Sequence, residues 1–247
     1  MSDCRGLVAS CWTLGAWGLA GALLAPGYPV RALDGAVFSE QIRTEALTRV
    51  ETAERRRVLR RDASFGITVR GDTVIVSADS LALNELADGT SRTLDTDGFT
   101  GGRFRLSLDD SGHATLWQRP FVPDHIVEVS DLGRAMDDFF PLLPPDILPS
   151  GTDSARDGRE WRRLSDSSGV RRFRWTEQRA REATESVADS VPAHIVESTR
   201  EEGTLAWSVT RGPLVWTRHI ASDVTTRLRG RTIRATVVQQ IEVRRVR

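Results

Sequence analysis

The chain has 247 residues, of which 34 are basic, 34 are acidic and 39% are hydrophobic. This balanced charge leaves no basic excess to neutralise phosphates, which argues against a nucleic-acid partner. Both cysteines, Cys4 and Cys11, lie close to the N-terminus, so the remaining chain has no disulfide or thiol to use.

The first 32 residues have the features of a secretory signal peptide. Met1–Arg5 is a short charged start, Gly6–Ala25 carries no charge, and Val30-Arg31-Ala32 is a small-x-small pattern of the kind that signal peptidase recognises. We therefore predict a signal peptide at 1–32 and a single β-rich domain at 33–247, located in the periplasm or outside the cell. The mature domain then begins near Leu33 and carries a net charge of about −1.

Two alternatives remain for this N-terminal segment. The first is an uncleaved membrane anchor, because 20 uncharged residues are just long enough to span a bilayer; only in that case does the protein contact a membrane. The second is lipidation at Cys11, where Val8-Ala9-Ser10-Cys11 resembles a lipobox preceded by few uncharged residues. All basic residues are arginine, a bias typical of a GC-rich bacterial genome.

The first half of the mature chain alternates with a period of two, which predicts strands. The stretch around Thr44–Thr52 fits a strand better than a helix, and Glu54–Arg57 is interpreted as a solvated turn or polar helical face. Hairpins are predicted around Gly71-Asp72 and around Asp109–Gly112. Ala87–Gly102 is interpreted as a loop between them.

A helix is predicted next, and then more strands. Ser130 is a suitable N-cap, and apolar residues follow at helical spacing to Phe140. A hairpin is expected around Ser168-Gly169, followed by a polar loop or lid helix at Glu177–Ser190. The chain then ends in a meander from Thr204 to Val246. The resulting fold class is mainly β: a curved antiparallel sheet or half-open β barrel with one or two covering helices.

Several short motifs carry a resemblance to a known group of proteins. They are Asp95-Thr96-Asp97-Gly98-Phe99, Gly101-Gly102-Arg103, Arg119-Pro120-Phe121-Val122-Pro123, the run from Asp131 to Pro141, and Leu143-Pro144-Pro145. Over about residues 60–247 the chain resembles a family of secreted bacterial proteins that is known as a domain of unknown function. Its architecture is similar to the half-open β barrels of the LolA and LppX lipoprotein carriers. That resemblance implies a curved sheet around an apolar cavity, with helices as a lid.

Motifs for catalysis or metal binding do not stand out in the sequence. The four histidines, His113, His125, His194 and His219, lack metal-ligand spacing and are interpreted as surface residues. Asp95-x-Asp97-Gly98 opens like a calcium loop, but a turn built on an Asp side chain explains it more simply. We therefore expect no metal, no cofactor and no catalytic residues.

From these patterns we predict a non-enzymatic binding protein, with an enzyme as the less favoured class. The hypothesis is that an apolar ligand or lipid lies in a half barrel under the predicted helix, in contact with Leu132, Met136, Phe139 and Phe140. One alternative is a structural cell-envelope protein in which the helix simply fills the core. Another is a hydrolase whose carboxylates come together only in the fold.

Overall fold

The computed structural model describes residues 28–121, 136, 139–144, 153–156, 158–164, 166–187 and 191–247. These residues form a 3-10 turn at Val30–Leu33 followed by twelve β-strands in one sheet. The strands are β1 (Val37–Val50), β2 (Ala53–Arg70), β3 (Thr73–Ala87), β4 (Thr90–Leu94), β5 (Arg103–Leu108), β6 (Ala114–Gln118), β7 (Asp153–Arg156), β8 (Arg159–Arg163), β9 (Val170–Val187), β10 (Val191–Ser208), β11 (Gly212–Leu228) and β12 (Arg231–Arg245).

The first and last strands lie side by side at the centre of the sheet. The strand order is β6-β5-β3-β2-β1-β12-β11-β10-β9-β8-β7, with β4 attached to β3, and every pairing is antiparallel. Each half of the chain therefore folds outward from the centre as a meander, and the sheet does not close into a barrel. Bulges at Ser64/Phe65 and Ala206/Trp207 bend the long strands. The prediction of a curved antiparallel sheet is confirmed.

The predicted hairpins are present at the expected turns. Gly71 and Asp72 connect β2 to β3, the loop around Gly112 connects β5 to β6, and Ser168-Gly169 precedes β9. Gly71 has φ +64° and Gly112 has φ +93°, conformations that favour glycine over residues with a Cβ. The strand preferred for Thr44–Thr52 is also confirmed as far as Val50, where β1 ends.

Three sequence interpretations were wrong, because the strands are longer than their apolar patterns. Glu54–Arg57 belongs to β2 rather than to a turn, and β4 lies within the predicted loop Ala87–Gly102. The predicted loop or lid helix at Glu177–Ser190 is strand β9 as far as Val187. Charged side chains on these strands pair with charges on neighbouring strands, so the ladder continues where a local pattern suggests solvent.

The two faces of the sheet differ strongly. Side chains alternate along each strand, and the set that includes Phe38 on β1, Phe65 on β2 and Trp216 on β11 forms what we call the core face. At the end of the sheet where β1 begins, this face is covered by the loop residue Phe99 and by residues 139–144. The opposite, outer face carries charged and polar side chains such as Arg43.

Residues ahead of β1 belong to the packed core. The Tyr28 ring is buried and meets Trp207 edge-on at a centroid distance of 5.5 Å, and its backbone N–H donates to the carbonyl of Asp110. Leu33, at the end of the 3-10 turn, is fully buried. Most of the helix predicted at Ser130–Phe140 lies outside the described residues. Within the described part of the chain, no helix is long and apolar enough to cross a membrane.

Candidate functional site

Aromatic side chains fill one end of the core face. Phe139 lies edge-on to Phe38, Phe65, Phe140 and Trp216, with ring centroids 5.1–5.9 Å apart. Such edge-to-face contacts add to the large apolar area that each ring buries. We call this part of the face the aromatic half. It is a filled core.

The other end of the same face carries mainly small and β-branched side chains, together with one carboxylate, that of the half-buried Glu197 on β10, opposite Val224 of β11. We call the small and β-branched side chains the apolar strip; its ten residues, all half-buried, are Ala46, Thr48, Val50, Ile195, Ser222, Val224, Thr226, Ile233, Ala235 and Val237. They come from the four central strands β1, β12, β11 and β10, and none belongs to the hydrophobic core cluster of the described residues. The next residues on these strands, such as Arg49 and Arg234, point to the outer face. This alternation is typical of a sheet with one face meant to be covered.

Polar groups in and beside the strip bond to each other, and the Thr199 hydroxyl lies 3.2 Å from the Glu197 carboxylate. Thr199 and Ser222 share a hydrogen bond of 2.8 Å between their hydroxyl oxygens, and the Gln239 amide donates to the Thr44 hydroxyl at 3.1 Å. Because these groups already have partners, covering this surface with an apolar ligand leaves fewer of them without a hydrogen bond.

A row of charged side chains separates the aromatic half from the apolar strip. We call it the ionic belt; its members are Glu40, Arg57, Arg61, Glu85, Arg92, Arg159, Glu177, Arg179, Glu201 and Arg218. Six arginines face four glutamates, so the belt has a net charge of +2 when all ten are ionised. Buried charges need such pairing, since an isolated one pays a large desolvation cost.

At the centre of the belt, the Glu40 carboxylate lies 3.0 Å from Nε of Arg61, and both side chains are buried. Burial raises the pKa of Glu40, although the charge of Arg61 opposes that shift. On the β4 side, Glu85 is held between Arg57 and Arg92. Burial also acts to raise the pKa of Glu85, but the hydrogen bonds and charges of these two arginines lower it overall.

The β8 side of the belt is the most connected part. Arg218 donates from Nε and Nη2 to the two oxygens of Glu201, at 2.8 and 3.1 Å, and Trp175 donates to the same carboxylate at 3.2 Å. Burial acts to raise the pKa of Glu201, but these donors and the charge of Arg159 lower it overall. Glu177 accepts from Arg159 at 2.9 Å and also from Arg179. We call these five charged residues the arginine cluster; they are Arg159, Glu177, Arg179, Glu201 and Arg218.

A cavity of about 120 Å³ lies between the arginine cluster and the aromatic half. Its wall combines indole rings, guanidinium groups and residues of the covering segment; the residues are Gly112, His113, Phe140, Pro141, Leu142, Arg159, Trp161, Trp175, Arg179, Trp216 and Arg218. The Arg159 guanidinium carbon is 5.8 Å from the centroid of the Trp175 ring, a cation–π distance. The cavity is thus positively charged at one side and apolar at the other.

A larger hollow, of about 830 Å³, lies mainly on the outer face. Charged, amide and hydroxyl groups line most of it, and several of them pair internally. Arg174 contacts Glu202 at 3.2 Å, and the hydroxyls of Thr204 and Thr217 lie 2.7 Å apart. A mixture of opposite charges is the ordinary surface of an antiparallel sheet in water, so this hollow has no distinctive chemistry.

The structure places three of the four predicted ligand residues in the aromatic half. Met136, Phe139 and Phe140 are buried there, and Leu132 lies outside the described residues. These three residues fill the core, as expected from the alternative in which the predicted helix simply fills it. Whether they also contact a ligand stays a prediction.

Other predicted features occupy the positions that their simpler interpretations expect. His113 and His219 are exposed, His194 is half-buried, and His125 lies outside the described residues. The Asp95 carboxylate accepts from the backbone N–H of Asp97 at 3.0 Å, which is a turn built on the Asp side chain. Within the described residues, no group of three or more His, Cys, Asp or Glu side chains could hold a metal ion.

The sequence interpretation missed the arginine cluster and the extent of the strip. Glu177 and Arg179 lay in a segment interpreted as a loop. A signal was present in the sequence, because Trp175, Glu177 and Arg179 are spaced two residues apart. On a strand, that spacing places all three side chains on one face. The partners on β10 and β11 could not be found from that spacing.

The described residues form one antiparallel sheet whose core face has one half packed with aromatic side chains and one half, the apolar strip, that lies outside the core cluster of these residues. No protein-family model matches the chain, and no curated protein matches it in sequence. The fold is similar to a chain in a solved structure concerned with lipid–protein interactions in lipovitellin, with a TM-score of 0.54 and 10% sequence identity. The match covers 84% of this chain and 25% of that one, so this chain spans about a quarter of its length. The similarity is one of fold.

Proposed function

We propose that this protein binds a lipid or another apolar ligand on the apolar strip and has no catalytic role. The observation that carries the proposal is the strip itself, a half-buried aliphatic surface on the face whose other end is a packed core. Strand geometry gives it a length of about 14 Å along the strands and a width of about 20 Å across four strands. That is an area of about 280 Å², near the lower end of the largest apolar patches on monomeric proteins, which are often functional.

The chemistry of the strip supports a flexible apolar ligand. Its ten residues include no aromatic side chain, so the strip itself contributes no ring to the space above these strands, and its small and β-branched side chains present a smooth surface. The strands β1, β12 and β11 each contribute three successive residues to the strip, which favours an extended chain over a compact ligand. The fourth strand, β10, contributes Ile195 and carries the carboxylate of Glu197 at its side. The fold similarity to lipovitellin, whose solved structure concerns lipid–protein interactions, supports the same class of ligand.

The test uses two adjacent residues of β12 that point to opposite faces. Val237 lies in the apolar strip and Val238 on the outer face, and both are half-buried. The protein is incubated with vesicles of mixed phosphatidylcholine and phosphatidylglycerol, separated from them, and weighed by native mass spectrometry. We expect bound lipid on the wild type and on Val238→Asp, and about tenfold less on Val237→Asp, because a carboxylate in the strip opposes contact with hydrocarbon.

Thermal unfolding first shows whether each variant is folded, so that a loss of bound lipid can be assigned to the substituted surface. If Val237→Asp does not fold, the neutral change Val224→Gln replaces it at the same surface. Absence of lipid on the wild type, or equal loss in the Val237 and Val238 variants, overturns the proposal.

We also propose that the protein acts outside the cytoplasm after removal of the predicted signal peptide. The buried Tyr28 ring favours a mature N-terminus ahead of Tyr28 in place of the boundary at 32 predicted from the sequence, since cleavage after Ala32 removes this ring from Trp207. Ala20-Gly21-Ala22 offers a small-x-small sequence upstream. N-terminal sequencing of the protein from its own host tests both points. A mature chain that starts at Leu33, or one that keeps Met1, contradicts this boundary.

A further inference from the structure

Strand β9 extends well beyond its outer neighbour in the sheet. β8 pairs with β9 only from Arg163 opposite Phe173 to Arg159 opposite Glu177. Within the described residues, no strand pairs with residues 178–187 of β9 on the side away from β10, and we call this segment the β9 edge. The strands at the two ends of the sheet, β6 and β7, have only five and four residues. A long edge presents backbone donors and acceptors with which another strand can pair.

The backbone of the β9 edge points outward at every second residue. The N–H of Leu164 donates to the carbonyl of Arg172 at 2.8 Å, so the even-numbered residues of β9 direct their backbone groups away from β10. The pairing of β9 with β10 has no register shift, so Ala180, Glu182 and Thr184 do the same. All three are exposed. Their backbone groups are therefore oriented to pair with a further strand.

The side chains of the β9 edge form a pattern that is complementary to its own reverse. Arg181 and Glu185 lie two residues before and after Ala183, on the core face. Within one chain they contact each other along the strand, and they are 58% and 44% exposed. Strand geometry separates their Cα atoms by about 13 Å, whereas opposite residues of an antiparallel pair are about 4.5–5.5 Å apart. A second copy of the strand thus offers each of them a nearer partner of opposite charge.

We propose that two copies of this chain pair through their β9 edges, antiparallel and centred on Ala183, to form a dimer with one continuous sheet. Arg181 of each copy then faces Glu185 of the other, at two symmetry-related places. The two-fold axis is perpendicular to the sheet, so the core faces of both copies lie on the same side. The dimer does not depend on the ligand of the apolar strip.

The charges select one register for this pairing. With the centre at Ala183, Glu182 faces Thr184, and the even-numbered residues close about eight backbone hydrogen bonds between the copies. Moving the centre to Glu182 places two carboxylates directly opposite each other, which is destabilising. Moving it to Thr184 removes both Arg–Glu pairs. Opposite charges in one register and like charges in the next are what specifies a strand pairing.

The experiment measures the dissociation constant of the dimer for the mature full chain by analytical ultracentrifugation at low salt. We expect the wild type to be dimeric at micromolar concentrations. Arg181→Glu and Glu185→Arg should each raise the dissociation constant at least about tenfold, because like charges then face each other at both symmetry-related places. An equimolar mixture of the two variants should associate about as tightly as the wild type, because the mixed dimer restores both pairs of opposite charges.

Arg174→Glu is the matched control. Arg174 is also on β9, is also 58% exposed and also contacts a glutamate, but it lies where β8 pairs with the strand. Its dissociation constant should equal that of the wild type. If thermal unfolding shows that a charge reversal does not fold, Glu185→Gln replaces it and should weaken the dimer several-fold.

Three results would overturn the proposed dimer. The first is a wild type that stays monomeric at these concentrations. The second is a mixture of Arg181→Glu and Glu185→Arg that associates no better than either variant alone. The third is an equal loss of association in Arg174→Glu, which would place the interface elsewhere than at the β9 edge.

Discussion

The aromatic half and the apolar strip lie on the same central strands and the same face of the sheet, yet their side chains pack differently. In the aromatic half, large rings from the sheet interlock with rings from segments outside it, such as Phe139 against Phe38 and Trp216. In the strip, side chains are small or β-branched, and within the described residues none belongs to the core cluster. Side-chain size therefore divides one sheet face into a packed aromatic part and a part with smaller, half-buried side chains.

The ionic belt is what keeps these two parts distinct. Its glutamates are buried between arginines, so the cost of desolvating each carboxylate is offset by charged donors. The surface of the strip therefore ends in charged side chains, not in further hydrocarbon, at the edge of the aromatic half. Substitutions in the two halves should therefore lower the free energy of unfolding by different amounts, and four predictions test that difference.

The largest effect is expected in the aromatic half. Trp216 is 1% exposed, and its replacement in Trp216→Ala leaves a large cavity beside Phe38 and Phe139. We expect the free energy of unfolding to fall by about 3–5 kcal/mol, measured by urea denaturation. Val224→Ala, on the same strand in the strip, should cost less than about 1 kcal/mol because its side chain is half-exposed. Comparable losses in both variants would show that the strip is packed as tightly as the core.

The second effect concerns the belt and depends on pH. Glu201→Gln removes the carboxylate that accepts from Arg218 and lies 3.7 Å from Arg159, which keeps its contact with Glu177, and we expect a loss of about 3 kcal/mol at pH 7. Because the folded-state pKa of Glu201 is lowered, its stabilisation is present above the ordinary pKa of about 4.3 and is lost as the pH falls through the folded-state pKa. The difference between wild type and variant should therefore shrink below about pH 4.

Glu202 is the control for this experiment. It is the next residue on β10, points to the outer face and pairs with Arg174 in solvent. Glu202→Gln is expected to change the free energy of unfolding by less than about 1 kcal/mol at any pH. A pH-independent loss in Glu201→Gln would indicate that shape, rather than ionisation, explains its effect.

The third effect tests how closely the aromatic half is packed. A Cβ on Gly203 would lie 2.1 Å from the nearest atom of the Trp175 ring, so Gly203→Ala forces the ring to move. We expect a loss of about 1–3 kcal/mol in thermal or chemical unfolding. At Gly66, a Cβ meets only the ends of the Asp79 and Ser77 side chains, at 3.0–3.1 Å, so Gly66→Ala should be nearly neutral. A neutral Gly203→Ala would mean that Trp175 has room to shift.

The smallest effect compares one substitution at two places on β12. Val243 is buried in the core cluster, and Val237 is half-buried in the strip on the same face. Val243→Thr places a hydroxyl among apolar groups and should cost about 1–2 kcal/mol. Val237→Thr should cost only a few tenths, because water still reaches the hydroxyl. Equal costs at the two positions would remove the distinction between the two halves.

Local patterns were sufficient for much of the fold but not for the site. The alternation around Thr44–Thr52 and the turns at Gly71-Asp72 and Ser168-Gly169 predicted strands and hairpins that the structure contains. Arginine-rich stretches such as Glu54–Arg57 were interpreted wrongly, because a charged side chain suggests solvent exposure when its partner in the fold is not known. Arg57, for example, pairs with Glu85, 28 residues further along the chain.

The class of structure followed from the amino-acid sequence alone, because long alternating segments separated by tight turns favour antiparallel strands. Alternation is a property of neighbouring residues, so it depends on local physics. The pairing of β1 with β12 at the centre, and the division of the face into a filled core, an ionic belt and the apolar strip, became visible only in the folded chain. Those outcomes depend on contacts between residues far apart in sequence, such as Thr44 and Gln239. Their register is set by packing and charge pairing across strands.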